Sequence, residues 1–391
     1  MQRRIGAFLS LLVLTTPIWL PENPSAAAPV SSGADRVRTD QWHLRYLRIP
    51  EVHRVSQGAG ITVAVPDTGV APHPDLIRNL QPGTDIISGG AGDGRQDQDS
   101  HGTSMAGLIA AHGQGGQIGA LGVAPKAKVL PIFVSPPHRE GEPDSLAKGI
   151  EYAITRGVRV ISISSGGGAS PRLRTAIASA IKADIVVVAA AGNRPEDVVV
   201  GYPASELGVL AVGGTDRSGK RAAVSVTGSE IDIAAPAVDI VSTSIDGKYS
   251  KGTGTSSATA IVAGVAALIR SKYPNLSADE VARRLTATAV DKGPPGRDDQ
   301  YGFGVVDPVA ALTADVPARG ARPTSGAPAT SGAGGVTTTA AAAPTPTGDQ
   351  GDGGATVRGL ATLGVLVAAG GAWALVRRRR RADDPPPRVS R

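Results

Sequence analysis

The sequence predicts an α/β domain on a mostly parallel sheet. Short continuous apolar runs rich in Val and Ile recur through the middle of the chain, and segments with helical spacing lie between them. Unbroken apolar strands alternating with helices indicate a parallel sheet covered on both faces. No internal repeat is visible, so one continuous core is expected rather than a stack of units.

The expected strands are "ITVAV" (61–65), "KVLPIFV" (128–134), "VRVISIS" (158–164) and "DIVVVAAAG" (184–192), followed by "GVLAVGG" (208–214) and "EIDIAAP" (230–236). Helical spacing predicts helices over 101–112, 143–156, 170–182 and 256–272, and a last one over 277–289. These elements fit one domain over 29–316.

The ends of the 391-residue chain differ from this body. Residues 1–28 have a basic start, the apolar run "IGAFLSLLVLTTPIWL" and small residues at "PSAAAP", the layout of a secretory signal peptide. Residues 317–356, rich in Pro, Ala, Gly and Thr, read as a disordered linker with a reach of about 35 Å. Residues 357–376 contain the uncharged run Gly359 to Val376, long enough for one transmembrane helix. The tail 377–391 opens with Arg377 to Arg381, which belong on the cytoplasmic side. The expected topology is a single-pass cell-membrane protein with its body outside.

The net charge of +6 comes from these ends, because 29–316 carries 28 Lys and Arg against 29 Asp and Glu. Such a body lacks the basic footprint of a nucleic-acid binder. The absence of cysteine excludes disulfides and thiolate metal sites. Asp93, Asp97 and Asp99 cluster in "DGRQDQDSH" without a calcium-loop spacing, and read as a solvated acidic turn. No metal or cofactor is expected.

In parallel sheets the site forms beyond the carboxyl ends of the strands. Asp67 follows the first strand in "VAVPDTGV", His101 opens a helix in "DSHGTSMAG", and Ser256 opens another in "GTGTSSATAIVAG". Singly, each has a structural explanation as a turn or helix-start residue. Together they supply acyl transfer: His takes the hydroxyl proton, and Asp orients and stabilises the imidazolium. The pattern Gly-Thr-Ser-x-Ala occurs twice, at 102–106 and 254–258, but Ser104 lies on the helix of His101, and choosing it would leave the order Asp, His, Ser without its third member.

The chain thus resembles the subtilisin-like (S8) serine peptidases over about residues 40 to 312, on "VAVPDTGV", "HGTSMAG", "AAAGN" (189–193) and "GTSSATA". That resemblance implies a three-layer fold, a serine endopeptidase acting on proteins or peptides, and Asn193 as oxyanion donor beside the Ser256 N–H. It also implies that the edge "SSGG" (164–167) receives substrate, with Ser164, Ser165 and Gly166 as candidates; a surface turn is the alternative. Pro66 and Ala260 depart from the usual pattern, and Pro66 suggests a locally unpaired strand end. A narrower resemblance is to mycosins, on "DQWHLRYLRIPEVHRVSQGAGITVAVPDTGV" (40–70), "GAGDGRQDQDSHGT" and the signal–body–tether–anchor layout. It implies association with a type VII secretion membrane complex. The alternatives are a general surface peptidase and a mainly structural scaffold of a secretion complex.

Overall fold

The computed structural model describes residues 33–137, 141–165 and 168–317. The expected signal peptide, transmembrane segment and tail, and the linker after Pro317, lie outside the described residues.

Three short helices come first, α1 (Gly33–Asp40), α2 (Trp42–Tyr46) and α3 (Ile49–Val55). Then follow β1 (Thr62–Asp67), β2 (Thr84–Asp85), α4 (His101–Ala110), β3 (Lys128–Phe133) and α5 (Pro143–Thr155). The middle continues with β4 (Val160–Ile163), α6 (Pro171–Lys182), β5 (Val186–Ala190), β6 (Leu210–Thr215) and β7 (Ile233–Pro236). A hairpin of β8 (Ile240–Thr243) and β9 (Tyr249–Gly252) precedes α7 (Thr255–Lys272), α8 (Ala278–Ala287) and α9 (Pro308–Thr313).

Among the described residues, the main sheet has seven strands in the order β2-β3-β1-β4-β5-β6-β7, every neighbouring pair parallel. Alternation of side chains splits the strands between two cores. Val63, Val65, Val160, Val188 and Val212 pack with α4 and α7, whereas Ala64, Ile161, Ile163 and Ala189 pack with α5 and α6. Helices thus cover both faces, which is why the strands read as unbroken apolar runs.

The central helix, α7, is buried on all sides from Ser257 to Arg270, matching its run of Ala, Val, Ile and Thr without a polar stripe. Gly264 allows its close approach to Val123, where an added Cβ would come within 2.7 Å of the Val123 Cβ. The buried Arg270 guanidinium donates to Asp184 Oδ2 at 3.1 Å, holding the end of α7 to the start of β5.

The N-terminal helices and the β8–β9 hairpin have no counterpart among the expected elements. Their anchors are polar: buried Gln41 donates to Leu121 and Val241 carbonyls, and the Trp42 indole donates to the Val238 carbonyl. The short β2 and α9 were likewise not expected, and the remaining elements agree with the expected ones to within a few residues at each end. No helix among the described residues is long and apolar enough to cross a membrane.

Candidate active site

The β1–β4 ladder ends at Ala64↔Ile161. Beyond it β1 stays paired with β3 as far as Asp67↔Phe133, and β4 with β5 as far as Ile163↔Ala189. The two central strands therefore separate toward their carboxyl ends, at the point where the strand order reverses. Pro66 sits in this gap. Alternation directs its backbone to the β4 side, where the ladder has already ended, so the missing N–H costs no sheet bond.

Asp67 ends β1 with only 2% of its side chain exposed, and its Oδ1 accepts from His101 Nδ1 at 2.7 Å and from Thr68 N at 2.8 Å. The bond to Nδ1 fixes the imidazole tautomer and leaves Nε2 as the atom available for proton exchange. The Asp67 charge pushes the His101 pKa up to about 9, against the burial that alone would lower it, with Asp99 and Asp97 adding to the rise.

Two glycines permit this contact. A Cβ on Gly102 would lie 2.0 Å from the Gly69 carbonyl oxygen, and one on Gly69, at φ +84, would lie 1.8 Å from the Gln96 oxygen. Directly before His101, Ser100 is left-handed at φ 81, uncommon for a residue with a side chain. Asp97 holds this bend. Its Oδ1 accepts from Asp99 N and Ser100 N, and its Oδ2 accepts from Thr103 N at 2.9 Å and Thr103 Oγ1 at 2.6 Å. The solvated acidic turn expected at 93–99 is therefore corrected. Asp93 pairs with Arg95, and Asp97 is an internal clamp at the start of α4.

Ser256 lies in the first turn of α7, after Gly254. Its hydroxyl donates to the Ser164 carbonyl at 2.9 Å. The nucleophile candidate thus meets the end of β4, one of the residues expected to receive substrate. Ser165 continues that segment half-buried, and Gly166 lies outside the described residues. Ser104 belongs to α4, where its carbonyl accepts from Ser242 Oγ at 2.8 Å.

Asn193 reaches the same helix end. Its Oδ1 accepts from Thr255 N at 2.9 Å and from Thr255 Oγ1 at 3.2 Å. These bonds assign the amide orientation and direct Nδ2, with its two hydrogens, away from the Thr255 amide. The loop is held by Asp197, whose Oδ2 accepts from Asn193 N at 2.6 Å. Of the residues with sequence-expected roles, Asp67 and His101 are in direct contact, as are Ser256 and Ser164, while Asn193 bonds the residue preceding Ser256. Thr68, Asp97, Asp197 and Thr255 were missed. Asp97 alone carried a signal, an acidic side chain just ahead of a helix start.

Among the described residues, no group of three or more His, Asp or Glu is placed to hold a metal ion.

The subtilase family (Peptidase_S8) matches residues 58–304. The chain is 40% identical over 271 residues to a thermostable alkaline protease of Halalkalibacterium halodurans, covering 69% of this chain and 72% of that one. The crystal structure of MycP1 from Mycobacterium smegmatis aligns with a TM-score of 0.63 at 31% identity, covering 74% of this chain and 88% of that one. The MycP3 protease from the type VII (ESX-3) secretion system aligns with a TM-score of 0.62 at 34% identity, covering 73% and 90%.

Proposed function

The chain belongs to the subtilase family of serine peptidases, and from that premise we propose that it is a membrane-anchored, extracytoplasmic endopeptidase associated with type VII secretion, with Asp67, His101 and Ser256 as its catalytic triad. The observation that carries the catalytic reading is the 2.7 Å bond between His101 Nδ1 and the buried Asp67 carboxylate at the carboxyl end of β1. Ser256 bonds the Ser164 carbonyl just beyond the neighbouring strand β4.

The proposed reaction follows from these groups. A peptide binds extended along the end of β4, adding its backbone to the segment at Ser164 and Ser165. The Ser256 hydroxyl turns from the Ser164 carbonyl toward His101 Nε2. As Oγ attacks the scissile carbonyl, Nε2 takes its proton, and Asp67 stabilises the resulting imidazolium. The developing oxyanion accepts from the Ser256 N–H and from Asn193 Nδ2, donors already fixed by α7 and by Thr255. His101 returns the proton to the leaving amine as the C–N bond breaks. Water, deprotonated by His101, then releases the acyl group.

The membrane and secretion parts rest on other support. The sequence of 1–28 and 357–381 supports a signal peptide and one apolar span followed by arginines. The likeness to MycP1 and MycP3 supports the secretion setting. The direct test of catalysis compares full-length wild type with Ser256→Ala on a peptide panel and a fluorophosphonate probe. Hydrolysis and labelling that both vanish in the variant are expected, and activity that persists rejects the triad. The secretion setting is tested by comparing secreted proteins from cells carrying either form, and identical profiles reject it.

A further inference from the structure

We propose that Asp97 is a positioning residue that holds the His101 imidazole at the height of Asp67. This inference rests on the triad reading above and adds a residue to it.

The groups form a closed ring. Asp97 Oδ1 accepts from Thr68 Oγ1 at 3.0 Å, and Thr68 Oγ1 in turn accepts from Gly102 N at 3.0 Å. Thr68 N donates to Asp67 Oδ1, the oxygen that also accepts from His101 Nδ1. From His101 the ring closes through the backbone: the N–H groups of Asp99, Ser100 and Thr103, on both sides of His101, converge on the Asp97 carboxylate. Thr103 Oγ1 adds a fifth bond to Asp97 and accepts from Ala71 N at 2.9 Å, fastening the same helix start to the turn after β1.

One carboxylate therefore ties the peptide groups around His101 to the turn that carries Asp67. The left-handed Ser100 needs such a hold, since that conformation persists only when its surroundings over-determine it. Without the clamp, the start of α4 relaxes and the imidazole loses its alignment with Asp67 Oδ1. The charges facing His101 are Asp67 at the end of β1, and Asp99 and Asp97 from the preceding loop. All three favour imidazolium, so positioning and simple charge must be separated.

The test uses the full-length protein, with active sites counted by fluorophosphonate. Asp97→Asn is expected to lower kcat per titrated site by about 10–100-fold, the cost of a misplacement of about 1 Å, with KM nearly unchanged. Its acid limb should move to lower pH, because an imidazolium less firmly held by Asp67 loses its proton more readily. Asp99→Asn removes the same charge from the same loop while keeping the backbone clamp, and should shift the limb without the fall in kcat.

An equal fall in kcat for Asp99→Asn overturns the proposal, as does a loss in Asp97→Asn explained wholly by fewer titrated sites. If Asp97→Asn does not fold, Thr68→Val should reproduce its signature and Thr68→Ser should restore wild-type kinetics; wild-type kinetics in Thr68→Val overturn the proposal. An active wild type with unaltered Asp97→Asn rejects this inference alone. A wild type that neither cleaves peptides nor takes up probe rejects the triad and this inference with it.

Discussion

The Ser256 hydroxyl donates to the carbonyl of Ser164 at 2.9 Å, joining the first turn of α7 to the end of β4. A peptide that pairs with this edge competes for the same carbonyl. Substrate binding and release of the hydroxyl toward His101 are therefore one event in the proposed mechanism.

Ser256→Ala should lower turnover by about 10⁴-fold or more, whereas Ser104→Ala should keep most of it. The duplicated Gly-Thr-Ser pattern makes this contrast informative. Mass spectrometry of the fluorophosphonate adduct decides it, and labelling at Ser104 with Ser256 untouched would reject the assignment.

The acid limb of kcat/KM should lie above the ordinary imidazole value of about 6.5. Only neutral His101 accepts the proton, and the Asp67 carboxylate holds its pKa up, so the neutral form appears later as pH rises. Asp67→Asn removes that charge, so the limb should move to lower pH while turnover drops about 10⁴-fold through the wrong tautomer. A pH–rate profile of wild type and variant checks both. A limb that moves upward in Asp67→Asn contradicts the assignment.

Asn193→Ala should cost about 10²–10³ in kcat with little change in KM, since in the proposed mechanism the amide serves the oxyanion rather than the bound ground state. Thermal unfolding should accompany the kinetics, because Asn193 Oδ1 also holds the Thr255 amide. A raised KM at constant kcat would place the residue in ground-state binding instead.

Gly69→Ala should destabilise the fold by about 1–3 kcal/mol, read as a lower denaturation midpoint. The new Cβ would press on the Gln96 carbonyl at a positive φ, and no side chain is free to yield there. Unchanged stability would mean that the turn after Asp67 is looser than this packing implies.

The anchor is checked by fractionation. The full chain should sediment with membranes, and a chain ending at residue 356 should be released in soluble form. Sedimentation of both would assign attachment to another part of the protein.

Residue patterns in the sequence announced the strands and singled out the candidate reacting groups because both readings depend on local chemistry. Buried parallel strands must be apolar throughout, and Asp67, His101 and Ser256 each stand at the end of such an element or the start of a helix. The hairpin was hidden because β9, Tyr-Ser-Lys-Gly, is only partly buried and shows no apolar alternation. The first helices were hidden because their attachment is made by Gln41 and Trp42 to carbonyls some 80 to 200 residues away. Asp97 was misread for a similar reason. Its partners Thr68 and Thr103 flank it at a distance, and an acidic cluster by itself does not distinguish a clamp from a solvated loop.

Because α7 is buried from Ser257 to Arg270, the proposed nucleophile stands one residue ahead of a segment that should be among the last to open. The amides of that segment beyond the first turn of the helix should exchange with solvent deuterium only when the entire domain unfolds, and heat inactivation should coincide with that transition. Local fluctuations of the body of α7 are therefore not expected to retire Ser256 while leaving the domain intact. Reversible control has to act elsewhere, either by an inhibitor that blocks the crevice from outside or on the bend from Asp97 to His101.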